Sequence, residues 1–172
     1  MKTTAKIFLF VLVITAFVIF SATVLAETTV STLEEFKEAI QNAASGATIK
    51  ITADISLDND LIITNENAFT IMSEDGRTIT CGGYRIIIGP NADVTVGGTL
   101  NITGSAPSTV GVQNSGAFIL AGGTVANSSE TAESAAVLVS EYGTATISGG
   151  TINASETGLL IAGDTGTASV TG

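Results

Sequence analysis

Two adjacent glycines return at nearly even intervals through the second half of the chain, in closely similar surroundings each time. Gly97-Gly98 stands in DVTVGGTLNIT, Gly122-Gly123 in AFILAGGTVANS and Gly149-Gly150 in TATISGGTINAS. The sequence stops at Gly172 after TASVTG, which reads like the opening of a further copy. The second pair follows the first by 25 residues, and the third follows the second by 27. A period in the twenties belongs to solenoids, in which each repeat forms one coil stacked on the last. A lone coil has nothing to bury against, so stacking is what creates the core.

Each interval holds three short runs with strand character. Before the glycines, Val94 and Val96, Phe118 and Leu120, Ala145 and Ile147, and Ala168 and Val170 alternate with polar or small residues. After them come Leu100 and Ile102, then Val125, then Ile152 and Ala154. A third run carries Val110 and Val112, Val137 and Val139, and Leu159 and Ile161. Period-two alternation sends one set of side chains inward and the other outward. Three strands per coil, joined at Gly and Asn corners, describe an all-β parallel β-helix. One inner column should stack Val96, Leu120, Ile147 and Val170.

The first half follows the same logic less evenly. TIKI, DISL, LIIT, FTIM, RTITC and YRIII are strand-like runs separated by the turn compositions DND, NEN, EDG and CGGY. Ahead of them, STLEEFKEAIQNAASG is the one convincing helix, placed at about residues 31–45. Ser31 and Glu34 read as its capping box, Leu33, Phe36 and Ile40 share a face, and Gly46 closes it. Such a helix would cap the first coil and block pairing at an open sheet edge.

Lys2 and Lys6 precede an apolar run from Ile7, and SATVLAE follows it, with Val24 and Ala26 at the small-residue positions before a cut. Residues 1–26 read as a secretory signal peptide cleaved between Ala26 and Glu27. An uncleaved anchor is the alternative, because Ile7–Ala26 carries no charge. Residues 27–172 then form one β-helix domain, truncated at its C-terminal end, since TASVTG opens a coil that no cap follows. The domain retains Lys37, Lys50, Arg77 and Arg85 against 16 acidic residues, a net charge of −12 (4 − 16). Such a surface repels phosphate backbones and anionic lipid heads, which excludes nucleic acid and anionic membrane as partners. Cys81 is the only cysteine, so no internal disulfide forms; sharing a face with Ile79, it reads as buried and inert.

The helix and the strand-rich coils after it, TLEEFKEAIQNAASGATIKITADISL, resemble the N-terminal cap of the pectate-lyase-like right-handed parallel β-helix superfamily. The GGT corners are similar to repeats of bacterial adhesin-like surface proteins built on that fold. The resemblance covers residues 28–172 and implies a right-handed coil. For the lyases of that group it further implies a Lys or Arg base on the helix wall, often beside calcium held by clustered carboxylates. A base must reach the α-proton of a uronate, and a cation must offset its carboxylate.

The residues for that chemistry are scarce. No Lys or Arg follows Arg85, no histidine exists in the chain, and Arg77 and Arg85 read as solvated strand positions. Asp58 with Asp60, and Glu74 with Asp75, are the nearest carboxylate pairs; a glycosidase needs two acids facing one sugar. Both lie in turn compositions, where Asp and Asn bond their own backbone, and a weak calcium site is the other reading. Asn101, Asn127 and Asn153 each open an Asn-x-Ser/Thr triplet, with Asn101 and Asn153 placed at one stacked corner and Asn127 one place later. Thr144 with Thr146, and Thr167 with Ser169, suggest an ice-binding face, but Ala117 and Ile119 interrupt it and β-propensity accounts for the threonines. No residue is therefore assigned a catalytic, metal or cofactor role, and no cofactor is expected. The expectation is a secreted, non-catalytic, adhesin-like β-helix at the cell surface, binding glycans or molecules of a host or neighbouring cell. The alternative is the N-terminal part of a polysaccharide lyase or glycoside hydrolase whose catalytic coils lie beyond residue 172.

Overall fold

A computed structural model describes residues 26–171. The leader and its cleavage site therefore fall, apart from Ala26 and Glu27, outside the described residues. The chain runs β1 (Glu27–Val30), α1 (Leu33–Asn42), β2 (Ala47–Ile51), β3 (Ile55–Ser56), β4 (Leu61–Ile63), β5 (Ala68–Ser73), β6 (Thr78–Gly82) and β7 (Ile86–Ile88). It continues with β8 (Asp93–Gly98), β9 (Asn101–Gly104), β10 (Ser108–Val112), β11 (Ala117–Leu120), β12 (Thr124–Asn127) and β13 (Ala135–Val139). The last coils supply β14 (Thr144–Ile147), β15 (Thr151–Ala154), β16 (Thr157–Ile161) and β17 (Thr167–Val170).

From β2 onward every third strand joins the same parallel sheet. Sheet A has the order β1-β2-β5-β8-β11-β14-β17, sheet B β3-β6-β9-β12-β15, and sheet C β4-β7-β10-β13-β16. This is a right-handed parallel β-helix with three strands per coil. The alternation read from the sequence sets the register. Ile49, Ile71, Val96, Leu120, Ile147 and Val170 pair in succession along sheet A. All but Val170 are buried; Val170 is 70% exposed because no described strand lies above it. Beside them runs Ala47, Phe69, Val94, Phe118, Ala145 and Ala168. Large and small side chains thus share one column, which fills the interior without overpacking. Sheet B contributes Ile55, Ile79, Ile102, Val125 and Ile152. Sheet C contributes Ile63, Ile88, Val112, Val139 and Ile161.

The cap differs in detail from its sequence reading. The capping box is Thr32 with Glu35, not Ser31 with Glu34: Thr32 is extended (φ −128, ψ 160) and its hydroxyl accepts from the Glu35 amide. Ser31 stays outside the helix, where its amide and hydroxyl both donate to the Glu35 carboxylate. Those bonds from Ser31 pull the Glu35 carboxyl below its ordinary value. The helix ends at Asn42, with Ala43 as its cap, earlier than Gly46. Side chains of the next coil close it: Asn65 Nδ2 donates to the carbonyls of Ile40 and Ala43, and Asn67 Nδ2 to that of Ala43. Phe36 and Ile40 are the buried face, as the spacing required. Among the described residues no helix is long and apolar enough to cross a membrane.

Candidate functional site

Three of the four cations of the described chain are held in ion pairs. Lys37 Nζ lies 3.1 Å from Asp58 and 3.4 Å from Glu34, Lys50 pairs with Glu74, and Arg85 lies 3.4 Å from Asp60. The hydrogen bond that Lys37 donates to Asp58 raises its pKa above the ordinary value, and the one Lys50 donates to Glu74 does the same for Lys50. Arg77, the fourth, is half-buried with its Nε shielded and unpartnered. Arg77 and Arg85 stand at corners just before β6 and β7 rather than on strands. Asp58 and Asp60 turn to different cations, and Asp60 also accepts the Arg85 amide at 3.0 Å. Asp54 accepts the Thr78 amide in the same way. Asp54 and Asp60 therefore bond to the neighbouring coil, 24 or 25 residues onward, instead of to their own turns. Among the described residues no group of three His, Cys, Asp or Glu side chains could hold a metal ion. Cys81 is buried in β6 beside Ile79, and burial, then the Asp60 charge, pushes its thiol up to about 12.

The polar side chains gather instead on the outer face of sheet B. One column there runs Ser56, Thr80, Thr103, Ala126 and Asn153, and a second runs Thr78, Asn101, Thr124 and Thr151. Neither column contains a charge. Parallel pairing sets successive members about 4.8 Å apart along the axis. Beside the first column opens a groove of about 290 Å³, lined by Thr103, Ala126, Asn153, Ser128, Ser155 and their neighbours. Ser128 Oγ is tied to the Gly104 carbonyl, whereas Thr103, Asn153 and Ser155 show no side-chain hydrogen bond among the described residues. Their donors and acceptors face solvent.

The three asparagines do not share a corner. Asn101 pairs with Thr124, Asn153 with Ala126, and Asn127 with Gly104 and Ala154. The glycines mislead here because Gly98 still belongs to β8, so Thr99 and Leu100 are spent on the corner before β9 begins. Asn127 turns inward and is buried. Its Nδ2 donates to the carbonyls of Ala106 and Ala135, each at 2.9 Å, and its Oδ1 accepts the Ser129 amide. The threonine column of sheet A is longer than its sequence reading, running Thr48, Thr70, Thr95, Ile119, Thr146 and Ser169. Ile119 still interrupts it.

These faces and columns belong to a parallel β-solenoid, the class that the resemblance implied. Among known proteins, no family model, no curated protein and no solved structure matches the chain. The wall of sheet B, neutral and rich in hydroxyls and amides, went unread in the sequence because the glycine alignment scattered its members.

Proposed function

We propose that this chain is a secreted, surface-associated, adhesin-like β-helix that acts by binding neutral glycans along the outer face of sheet B. One observation carries the reading: nine side chains on that face are uncharged, and all but Ala126 offer a hydroxyl or an amide. Sugar hydroxyls both donate and accept, which suits Thr, Ser and Asn side chains that do the same. Uronates and other polyanions meet an acidic surface with little free cation: Lys37, Lys50 and Arg85 are already paired, which leaves Arg77 alone outside the ion pairs of the described residues. Export is supported by the leader sequence at residues 1–26. The stacked coils supply a rigid support, which keeps a shallow site in register without a deep pocket.

The test is a pull-down of residues 27–172 on cellulose, chitin, mannan and polygalacturonate. Binding is expected on at least one neutral polymer and not on polygalacturonate, and Asn153→Arg with Thr103→Arg should abolish it. Both positions face outward, so the double variant should keep the wild-type circular dichroism. Failure on every neutral polymer would refute the proposal, as would an ultraviolet-absorbing unsaturated product from polygalacturonate.

A further inference from the structure

Four of the five turns from sheet C back to sheet A place residues in the left-handed region, the turn before β5 being the exception. The turn before β8 places Asn91 there (φ 56), and the turn before β17 places Gly163 (φ 79). Before β11 the turn is Gln113-Asn114-Ser115-Gly116, with φ 53 and 65 at its centre and the Gly116 amide bonded back to the Gln113 carbonyl. Two central residues of positive φ closed in this way make a type I′ turn, which Gly, Asn and Asp dominate. One coil later the same turn is Ser140-Glu141-Tyr142-Gly143, closed by the Gly143 amide on the Ser140 carbonyl, with φ 47 at Glu141 and 65 at Tyr142. A bulky residue at positive φ is a true outlier. Such strain persists where the surroundings hold it and tends to mark contact sites.

Packing does not account for the choice. The Tyr142 side chain is exposed, at 68% for the residue, and only its backbone amide is engaged, with Thr165 Oγ1 at 3.2 Å. The preceding coil shows that Asn-Ser closes this turn in the same fold. An exposed ring has an apolar face and a polar tip, as do the residues that dominate recognition surfaces.

We infer that Tyr142 is a ligand-contact residue, its ring lying against the apolar face of a pyranose while Glu141 accepts from the sugar hydroxyls. The inference takes the glycan class of the ligand from the function proposed above, but its site is separate. On the three-sided coil, the turn from sheet C to sheet A is the corner opposite sheet B. A cation is the poorer fit, because one ring on an open turn neither encloses nor desolvates an ammonium group. No second aromatic lies on this turn, and Tyr84 stands at a different corner, just before β7.

The chain has two tyrosines and no tryptophan, so its own fluorescence reports on the ring. In a Tyr84→Phe background, cellohexaose, chitohexaose and mannohexaose are titrated against the domain, with oligolysine in parallel. Quenching of Tyr142 by at least one oligosaccharide is expected. By isothermal titration calorimetry, Tyr142→Asn, which suits positive φ, should bind that sugar at least tenfold more weakly, and it should melt a few degrees higher, with Tyr142→Phe retaining the affinity. Affinity unchanged in Tyr142→Asn, alongside sheet-B binding that persists, would overturn this inference and leave the proposed function standing. A lower melting temperature for Tyr142→Asn would make the ring a folding contact and overturn it too. Quenching by oligolysine alone would assign the ring to a cation and overturn the pyranose assignment. Absence of binding to any neutral sugar would end both.

Discussion

Replacing Gly123 by alanine separates two reasons for glycine at a coil corner. Gly123 lies between β11 and β12 with φ 75, and a Cβ there would run into the carbonyl oxygen of Leu100 in the coil below. Gly76 occupies the same kind of corner between β5 and β6, with φ 70, but a Cβ there meets nothing within 4 Å. Gly76→Ala should therefore cost only the left-handed strain of an L-residue, about 1–2 kcal/mol. Gly123→Ala carries the same strain and must also push two coils apart. That move breaks the 2.8 Å bond of Thr124 N to the Leu100 carbonyl and orphans both groups. Each orphaned backbone group costs about 1–3 kcal/mol, so the variants should differ by about 2–6 kcal/mol. Urea unfolding followed by circular dichroism reads the difference. Native-state hydrogen exchange at Thr124 locates it. Equal destabilisation in the two variants would refute the steric argument, leaving glycine here for conformation alone.

Asn127→Ala strips three hydrogen bonds from a buried turn and should cost about 3 kcal/mol in urea melts, whereas Asn153→Ala should stay within about 0.5 kcal/mol. Cys81, with its thiol pushed up to about 12, should resist thiol reagents at about pH 8 until urea unfolds the domain. Glu35 has a lowered folded value, so its contribution is complete above 4.5 and fades as pH falls through that lowered value. The Ser31 and Thr32 amides should lose exchange protection over that acid range, and Glu35→Gln should remove the pH dependence. In the 172-residue chain, the amides of Ala168 and Val170 should exchange far faster than those of Thr144–Ile147, since β17 pairs on one side only.

The coils were legible because parallel stacking repeats one rule. A residue two places from an inward valine is again inward, and 22 to 27 residues later its successor occupies the same column. That rule recovered the strands of all three sheets from β2 to β17. It failed where local chemistry, not alternation, decides the outcome. β1 went unread because, of its four residues, only Val30 is buried, so no pattern is visible. Ser31-x-x-Glu34 and Thr32-x-x-Glu35 are equal as capping signals. Val30 decides between them by packing into sheet A, which keeps the chain extended through Ser31. The neutral wall of sheet B was hidden for a different reason. Its columns follow backbone register, and the two corner residues after Gly98 shift that register against the glycines.

The three sheets carry their coil-to-coil hydrogen bonds along the long axis, perpendicular to the strands. Tension between the two ends of the molecule therefore loads those bonds in peeling rather than in shear. Only the outermost coil bears it at any moment. Ile147 to Val170 spans 23 residues and Leu120 to Ile147 spans 27, so successive coils pay out unequal lengths of chain. At full extension these are about 80 Å and about 95 Å. A stack of this kind resists bending along its whole length, yet under a pull it yields one coil at a time, each release lowering the force before the next coil takes the strain.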